Sequence, residues 1–122
     1  MTAEFDGGDR KMSGHISAID ISTGDIKWRH ETKFPNWAGC LTTAGGLVFS
    51  GDLEGKFMAF DAKTGEVIWD FQTGSGVYAP PITYTVDGVQ YIAIASGAVK
   101  YEEVNVRNGD TLYVFALFDE GK

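Results

Sequence analysis

The sequence predicts an all-β fold of short antiparallel strands, and three observations indicate it. Sixteen of the 122 residues are glycine, well above the usual share of about 7%, and they are mixed with β-branched and aromatic residues, as in chains with many tight turns. Short segments alternate apolar and polar side chains with the period of two that is typical of strands. No segment carries the long apolar stripe of a helix, because glycine interrupts every window.

A repeat with an offset of 41 residues organises the chain. The segment that begins at Gly14 aligns with the segment that begins at Gly55, and several identities at one constant offset rarely arise by chance. The identical pairs are Gly14/Gly55, Ala18/Ala59, Asp20/Asp61, Thr23/Thr64, Gly24/Gly65, Trp28/Trp69 and Thr32/Thr73.

Each copy of the repeat is predicted to form a β-hairpin. An alternating strand leads into the turn sequence Asp-x-x-Thr-Gly, in which the carboxylate of Asp20 or Asp61 caps backbone N–H groups two residues on and the glycine supplies a positive φ. A second strand follows over residues 25–31 and 66–72 and carries the tryptophan. The identical position of the two aspartates before Thr-Gly favours this capping role over acid–base chemistry.

Further strands are predicted between and after the hairpins, at residues 38–43, 47–51, 81–86, 89–96 and 111–117. Four short strands in a unit of about 41 residues match the size of a β-propeller blade. The predicted fold is therefore a partial β-propeller of four-stranded antiparallel blades, with one complete blade flanked by two incomplete ones. The predicted division is a tail at 1–13, a half blade at 14–31, a complete blade at 38–72 and a three-stranded blade at 79–117.

Composition and cysteine count exclude several classes of function. A net charge of −7 without a basic cluster argues against nucleic acid as a partner. The single cysteine, Cys40, excludes an internal disulfide and a zinc site of the multi-cysteine type. Its place in an apolar segment predicts a small buried side chain rather than a reactive thiol. No apolar run approaches the length of about 20 residues that spans a bilayer, and residues 1–12 lack the apolar region of a signal peptide.

Four segments together resemble the C-terminal part of a pyrroloquinoline quinone (PQQ)-dependent alcohol dehydrogenase, a quinoprotein of the methanol/ethanol dehydrogenase group. Residues 18–28, AIDISTGDIKW, and 59–69, AFDAKTGEVIW, are similar to the tryptophan-docking repeats of that family. The segments NWAGCLTTAGGLVFSG at 36–51 and GSGVYAPPITYTVDGVQYIAIASG at 74–97 make the resemblance more specific.

The resemblance implies an eight-bladed ring in full-length relatives, with PQQ and a calcium or lanthanide ion on the propeller axis. In that family a catalytic aspartate acts as base on the alcohol, electrons pass to a cytochrome c, and the protein is periplasmic. The motif tryptophan of one blade packs against the motif of the next. The residues implied to dock blades in this way are Trp28, Trp69, Ala18, Ala59, Gly24, Gly65, Asp20 and Asp61.

Cofactor contacts are implied at only a few positions. Trp37 matches the tryptophan that forms the floor under the PQQ ring, and Asn36 is placed to offer an amide to a quinone oxygen. Gly97 and Ala98 open a loop that brings backbone against the edge of the cofactor, while the sequence from Lys100 onward departs from the family pattern.

The rest of the family's active site has no counterpart in this sequence. Its metal ligands, its catalytic aspartate and its adjacent-cysteine disulfide all lie upstream of the part represented, so neither a catalytic residue nor a metal ligand is predicted. The chain alone is expected to be inactive and to hold no cofactor by itself. Its expected partners are the remainder of a propeller or other copies of the chain. Two alternatives stay open: a non-catalytic propeller-repeat scaffold, and a self-assembling β-protein that pairs its open edges.

Overall fold

The computed structural model describes residues 13–97 and 107–118, which form nine strands in three antiparallel sheets. The first sheet is β1–β2, the second is β3–β4–β5–β6 and the third is β7–β8–β9, each in chain order. This arrangement confirms the all-β class and the partial propeller, with one four-stranded sheet between a two-stranded and a three-stranded one. The strands are β1 Gly14–Ile19, β2 Ile26–Thr32, β3 Leu41–Thr42, β4 Leu47–Gly51, β5 Lys56–Asp61, β6 Val67–Gln72, β7 Ile82–Val86, β8 Val89–Ser96 and β9 Thr111–Leu117.

Both repeat hairpins close with the same hydrogen bonds. Asp20 Oδ1 accepts the Ser22 amide at 2.8 Å, and Asp61 Oδ1 accepts the Lys63 amide at 2.8 Å, which is the capping interaction expected at this position. The glycine that ends each turn lies in the left-handed region, with φ of 79° at Gly24 and 75° at Gly65. The sequence motif therefore produces two nearly identical turns.

Two predictions for the segment before β4 are wrong. The strand expected over 38–43 is only Leu41–Thr42, and Cys40 is exposed rather than buried. The cause is a tertiary hydrogen bond: the buried Ser50 hydroxyl donates to the Gly39 carbonyl at 2.7 Å, and Gly39 has a φ of 74°. A residue in that conformation cannot continue a strand, so Cys40 leaves the sheet.

The core depends on β5, because both faces of this strand are buried. Phe57 and Ala59 face the third sheet, in a cluster that includes Ile92 and Ile94. Met58 and Phe60 face the first sheet. Phe57 and Phe60 are fully buried, and complete burial of such a side chain contributes about 1.5–3 kcal/mol. The second sheet thus joins its two neighbours into one packed body.

Trp28 on β2 connects the first sheet to the second. Its indole Nε1 donates to the Ala62 carbonyl at 2.9 Å, and its ring stacks on Phe60 with centroids 5.9 Å apart. Gly65 lies directly under the indole, since a Cβ added there would sit 2.5 Å from the Trp28 ring. The turn of the second repeat therefore receives the tryptophan of the first.

Alanine at Gly65 is expected to destabilise the protein more than alanine at Gly24. Both glycines have nearly the same positive φ, which costs an alanine about 1–2 kcal/mol, but only Gly65 lies against the indole. A Cβ at Gly24 would have no neighbour within 4 Å among residues 13–97 and 107–118. We expect Gly65→Ala to lower the free energy of unfolding by at least about 1 kcal/mol more than Gly24→Ala, because the added methyl displaces Trp28. Urea unfolding of both variants measures this, and equal losses would show that the indole contact carries no stability.

Candidate functional site

Trp37 presents a large aromatic side chain to solvent on the loop between β2 and β3. Its side chain is 40% exposed, although an indole of this size usually lies mostly buried. The Tyr78 ring lies beside it, with centroids 5.4 Å apart and planes inclined by 59°. Tyr78 occupies the position of Trp37 in the second copy of the repeat, so the two repeats place their aromatic residues together.

A buried polar network holds the loop around Trp37. Asn36 is only 6% exposed, and its Nδ2 donates to the Ser50 hydroxyl at 3.3 Å while its Oδ1 accepts the Ala38 amide at 3.2 Å. Ser50 is fully buried and in turn donates to the Gly39 carbonyl. The residues on both sides of Trp37 are thereby fastened to β4.

Gly97 is attached to the loop that carries Tyr78. Its amide donates to the Gly76 carbonyl at 3.1 Å, and it lies at the end of β8 with its surface exposed. The structure thus links Gly97 through Gly76 to the segment whose tyrosine contacts Trp37. Ala98, the other residue implied at this edge, lies outside the described residues.

Sequence reasoning gave no role to Ser50 or to Tyr78. The repeat offset was the signal that could have suggested a contact between the two rings. Ser50 had no comparable signal, because its partners Asn36 and Gly39 lie 14 and 11 residues away along the chain and no motif connects them.

The second motif tryptophan makes a different contact from the first. Trp69 on β6 meets Phe115 of the third sheet edge to face, with centroids 5.0 Å apart. Ala18 and Ala59 are the cross-strand neighbours of Trp28 and Trp69. An apolar groove of about 310 Å³ remains beside Trp69, between the second and third sheets.

Titratable groups gather in a small polar cleft between β2 and the turn before β5. His30 packs edge to face on Phe60, with centroids 4.9 Å apart, and burial lowers the pKa of its imidazole, against an opposing attraction from the Asp52 carboxylate. Burial raises the pKa of the Asp52 carboxyl, which accepts the amides of Glu54 and Lys56. In both cases burial makes the charged form less favourable than it is for the same group in water.

No metal centre forms within the described ranges, 13–97 and 107–118. In them, no group of three or more His, Cys, Asp and Glu side chains could hold a metal ion. Nor does this part of the chain contain a helix long and apolar enough to cross a membrane.

Residues 11–92 match the family described as PQQ glucose/ethanol/alcohol dehydrogenase, beta-propeller domain. This match spans more than half of the chain. The chain belongs to that family. The resemblance predicted from the sequence to PQQ-dependent alcohol dehydrogenases is therefore confirmed.

Named relatives of this PQQ family are similar over the same part of the chain. The quinoprotein ethanol dehydrogenase of Pseudomonas putida is 52% identical over 84 residues, which are 69% of this chain and 14% of the relative. Subunit 1 of the methanol dehydrogenase [cytochrome c] of Paracoccus denitrificans is 43% identical over 89 residues, 73% of this chain and 14% of the relative. The chain thus spans about a seventh of the length of these relatives.

Solved structures of such enzymes share the arrangement of strands. The quinohemoprotein alcohol dehydrogenase from Comamonas testosteroni aligns over 90% of this chain and 18% of its own, with a TM-score of 0.78 and 34% identity. A europium-containing methanol dehydrogenase aligns over 75% of this chain and 16% of its own, with a TM-score of 0.67 and 41% identity.

The unfolding free energy is expected to fall as the pH drops through the titration of His30. The pKa of the folded imidazole lies below its ordinary value of 6.5, so the unfolded chain binds the proton more readily and acid favours unfolding. His30→Gln is expected to reduce this loss between about pH 7.5 and about pH 5.5. Protonation of Asp52 has the opposite effect on the unfolding free energy, because the pKa of its carboxyl is raised in the folded chain. The measurement is therefore the difference in urea midpoint between variant and wild type at each pH. His15→Gln, which removes the other imidazole, is the control; an unchanged pH slope in His30→Gln would contradict the assignment.

Proposed function

We propose that this chain is the C-terminal segment of a PQQ-dependent alcohol dehydrogenase-like quinoprotein, whose whole-protein reaction is the oxidation of a primary alcohol. The observation that carries the proposal is Trp37: an exposed indole on a firmly held loop, in a chain of this family. An enzyme that stacks a flat cofactor needs such a surface. Exposure alone does not mark it, since Trp69 on β6 is 39% exposed although it packs on the third sheet. Trp37 differs because it lies on a loop that Asn36 and Ser50 hold, outside the strands that pack the sheets together.

The residues around Trp37 fit a planar quinone. The indole is 40% exposed, so part of its surface is accessible for stacking, with Tyr78 alongside. PQQ, when bound, would accept two electrons from the alcohol. Asn36 Oδ1 accepts the Ala38 amide of the loop, and Asn36 Nδ2 donates one hydrogen to Ser50 on β4. The second Nδ2 hydrogen is the donor that would serve a quinone oxygen. Gly97 and Ala98 would contribute backbone at the cofactor's edge.

The chain is proposed to be inactive alone and to work with the remainder of a propeller. The described residues contain no cluster that could hold the calcium or lanthanide ion, and no residue of the chain is assigned as catalytic base. A complete ring would supply both, pass electrons to a cytochrome c and operate in the periplasm, as the family assignment suggests.

Exposed apolar surfaces at both ends of the segment support this role. On the first sheet, Ile19 and Ile26 are exposed, and none of the described residues lies within 4 Å of a Cβ added at Gly24. These positions correspond to Phe60, Val67 and Gly65 of the second repeat. There Trp28 stacks on Phe60 and lies against Gly65, and Val67 packs against the same cluster. Blade-to-blade docking by the repeat residues is therefore proposed to continue beyond the first sheet. The outer face of the third sheet is open in the same way, with exposed Ile82, Tyr84, Val86, Leu112 and Val114.

A chimera tests the cofactor role. We expect the quinoprotein ethanol dehydrogenase of Pseudomonas putida to load PQQ when its matching stretch is replaced by residues 11–92 of this chain. Trp37→Leu in the chimera is expected to weaken PQQ binding by about tenfold or more, because loss of ring stacking removes at least 1–2 kcal/mol. Equilibrium dialysis of PQQ measures this, with Trp28→Leu as a control for general destabilisation.

Two results, one with the chimeras and one with the isolated chain, would count against the proposal. Equal PQQ binding by the Trp37→Leu and parent chimeras would favour a non-catalytic scaffold, which has no need of Trp37. Oxidation of ethanol by the isolated 122-residue chain with PQQ and calcium would show that the segment is an enzyme by itself.

A second candidate function is self-assembly through the open surfaces. The exposed faces of the first and third sheets lie at opposite ends of the chain order, so copies could pair head to tail. This candidate predicts that the chain sediments as an oligomer and that Ile82→Lys with Val114→Lys returns it to a monomer, because a charge would be buried without a partner. Sedimentation velocity decides it, and a monomer at high concentration would exclude it.

A further inference from the structure

The two repeats use different residues at one buried position next to the aromatic side chains that contact each other, Trp37 and Tyr78. The first copy has Asn36 before Trp37, and the second has Val77 before Tyr78. Val77 is fully buried, and its methyl groups fill the space that a side chain at Gly51 would need. An apolar residue therefore satisfies packing at this position without any polar partner.

Asparagine at the same position requires a more demanding arrangement. A buried amide that lacked hydrogen bonds would cost about 1–3 kcal/mol. Here Asn36 is satisfied by Ser50 and by the Ala38 amide, and Ser50 by the Gly39 carbonyl. These bonds fix the backbone on both sides of Trp37, which valine could not do.

Tyr78 restrains the side chain that this backbone carries. Its ring contacts the Trp37 indole at 5.4 Å with a tilt of 59°, a geometry in the favourable range for aromatic pairs. An indole that is 40% exposed has room for other rotamers on the side that faces solvent. The contact therefore limits the orientations of the aromatic face.

We propose that Tyr78 and the Asn36–Ser50 pair are positioning residues that hold the Trp37 indole in a single orientation before any ligand binds. The inference rests on the proposed role of Trp37 as a stacking surface. Its consequence is preorganisation: a face that is already fixed spends no further side-chain entropy when a planar ligand stacks on it.

Relaxation of the indole N–H groups tests this on the ligand-free chain. The sequence has three tryptophans, and uniform ¹⁵N labelling gives one Nε1–H resonance for each, with Trp37 assigned by its loss in Trp37→Phe. We expect an order parameter near 0.85 for Trp37 in the wild type and a fall below about 0.6 in Tyr78→Leu. Tyr78→Phe should keep the wild-type value, because the contact needs the ring and not the hydroxyl.

Asn36→Val tests the backbone part of the proposal. Valine already fills the corresponding position 77, so this variant is expected to fold, with unchanged order at Trp28 and Trp69 and a lower order parameter at Trp37. If Tyr78→Leu unfolds the chain and lowers the order parameters of all three indoles, Asn36→Val still tests whether Trp37 is held in one orientation.

Tyr84→Leu is the matched control. Tyr84 is an exposed tyrosine whose ring contacts Tyr91 at the same centroid distance, 5.4 Å, far along the chain from the Trp37 loop, and its loss should leave the Trp37 order parameter unchanged. The proposal is overturned when Trp37 keeps its order in Asn36→Val and Tyr78→Leu, or loses it equally in Tyr84→Leu. Because no PQQ is present, a failure of cofactor binding in the chimera leaves this result intact, and the two proposals fail separately.

Discussion

The burial of both faces of β5 is the constraint on which the rest of the structure depends. A strand in a single two-layer packing needs one apolar face, but here Phe57 and Phe60, on opposite faces, are both fully buried. The second sheet therefore has no solvent face along this strand, and it requires a neighbour on each side. Removing either neighbour would expose a phenylalanine whose burial contributes about 1.5–3 kcal/mol.

The candidate site follows from that packing. Because the second sheet is pressed between its neighbours, the loops that pass from one sheet to the next come close together. The loop after β2 carries Trp37 and the loop after β6 carries Tyr78, and the two rings meet. Ser50, fully buried at the end of β4, gives the first of these loops a fixed anchor. The aromatic surface is exposed, while the residue that anchors its loop, Ser50, lies in the buried core.

The repeat made much of the fold predictable from the sequence. The hairpins, their capped turns and most strand limits follow from local chemistry: alternation of side chains, an aspartate that bonds backbone N–H groups, and a glycine with positive φ. The segment before β4 was not predictable, since Gly39 and Cys40 are placed by a hydrogen bond from Ser50, 11 residues from Gly39. Trp37 could be singled out because it matches a tryptophan of the family that the sequence resembles, whereas the role of Ser50 depends on tertiary contact alone.

Hydrogen exchange of the backbone amides in the native state tests the central claim, that β5 binds the three sheets into one cooperative body. If it does, the most protected amides of β1 and of β8 exchange with free energies of opening close to those of β5, because neither flanking sheet can leave without exposing Phe57 or Phe60. The account would be contradicted if the amides of β1–β2 or of β7–β9 exchanged through openings that leave β5 fully protected.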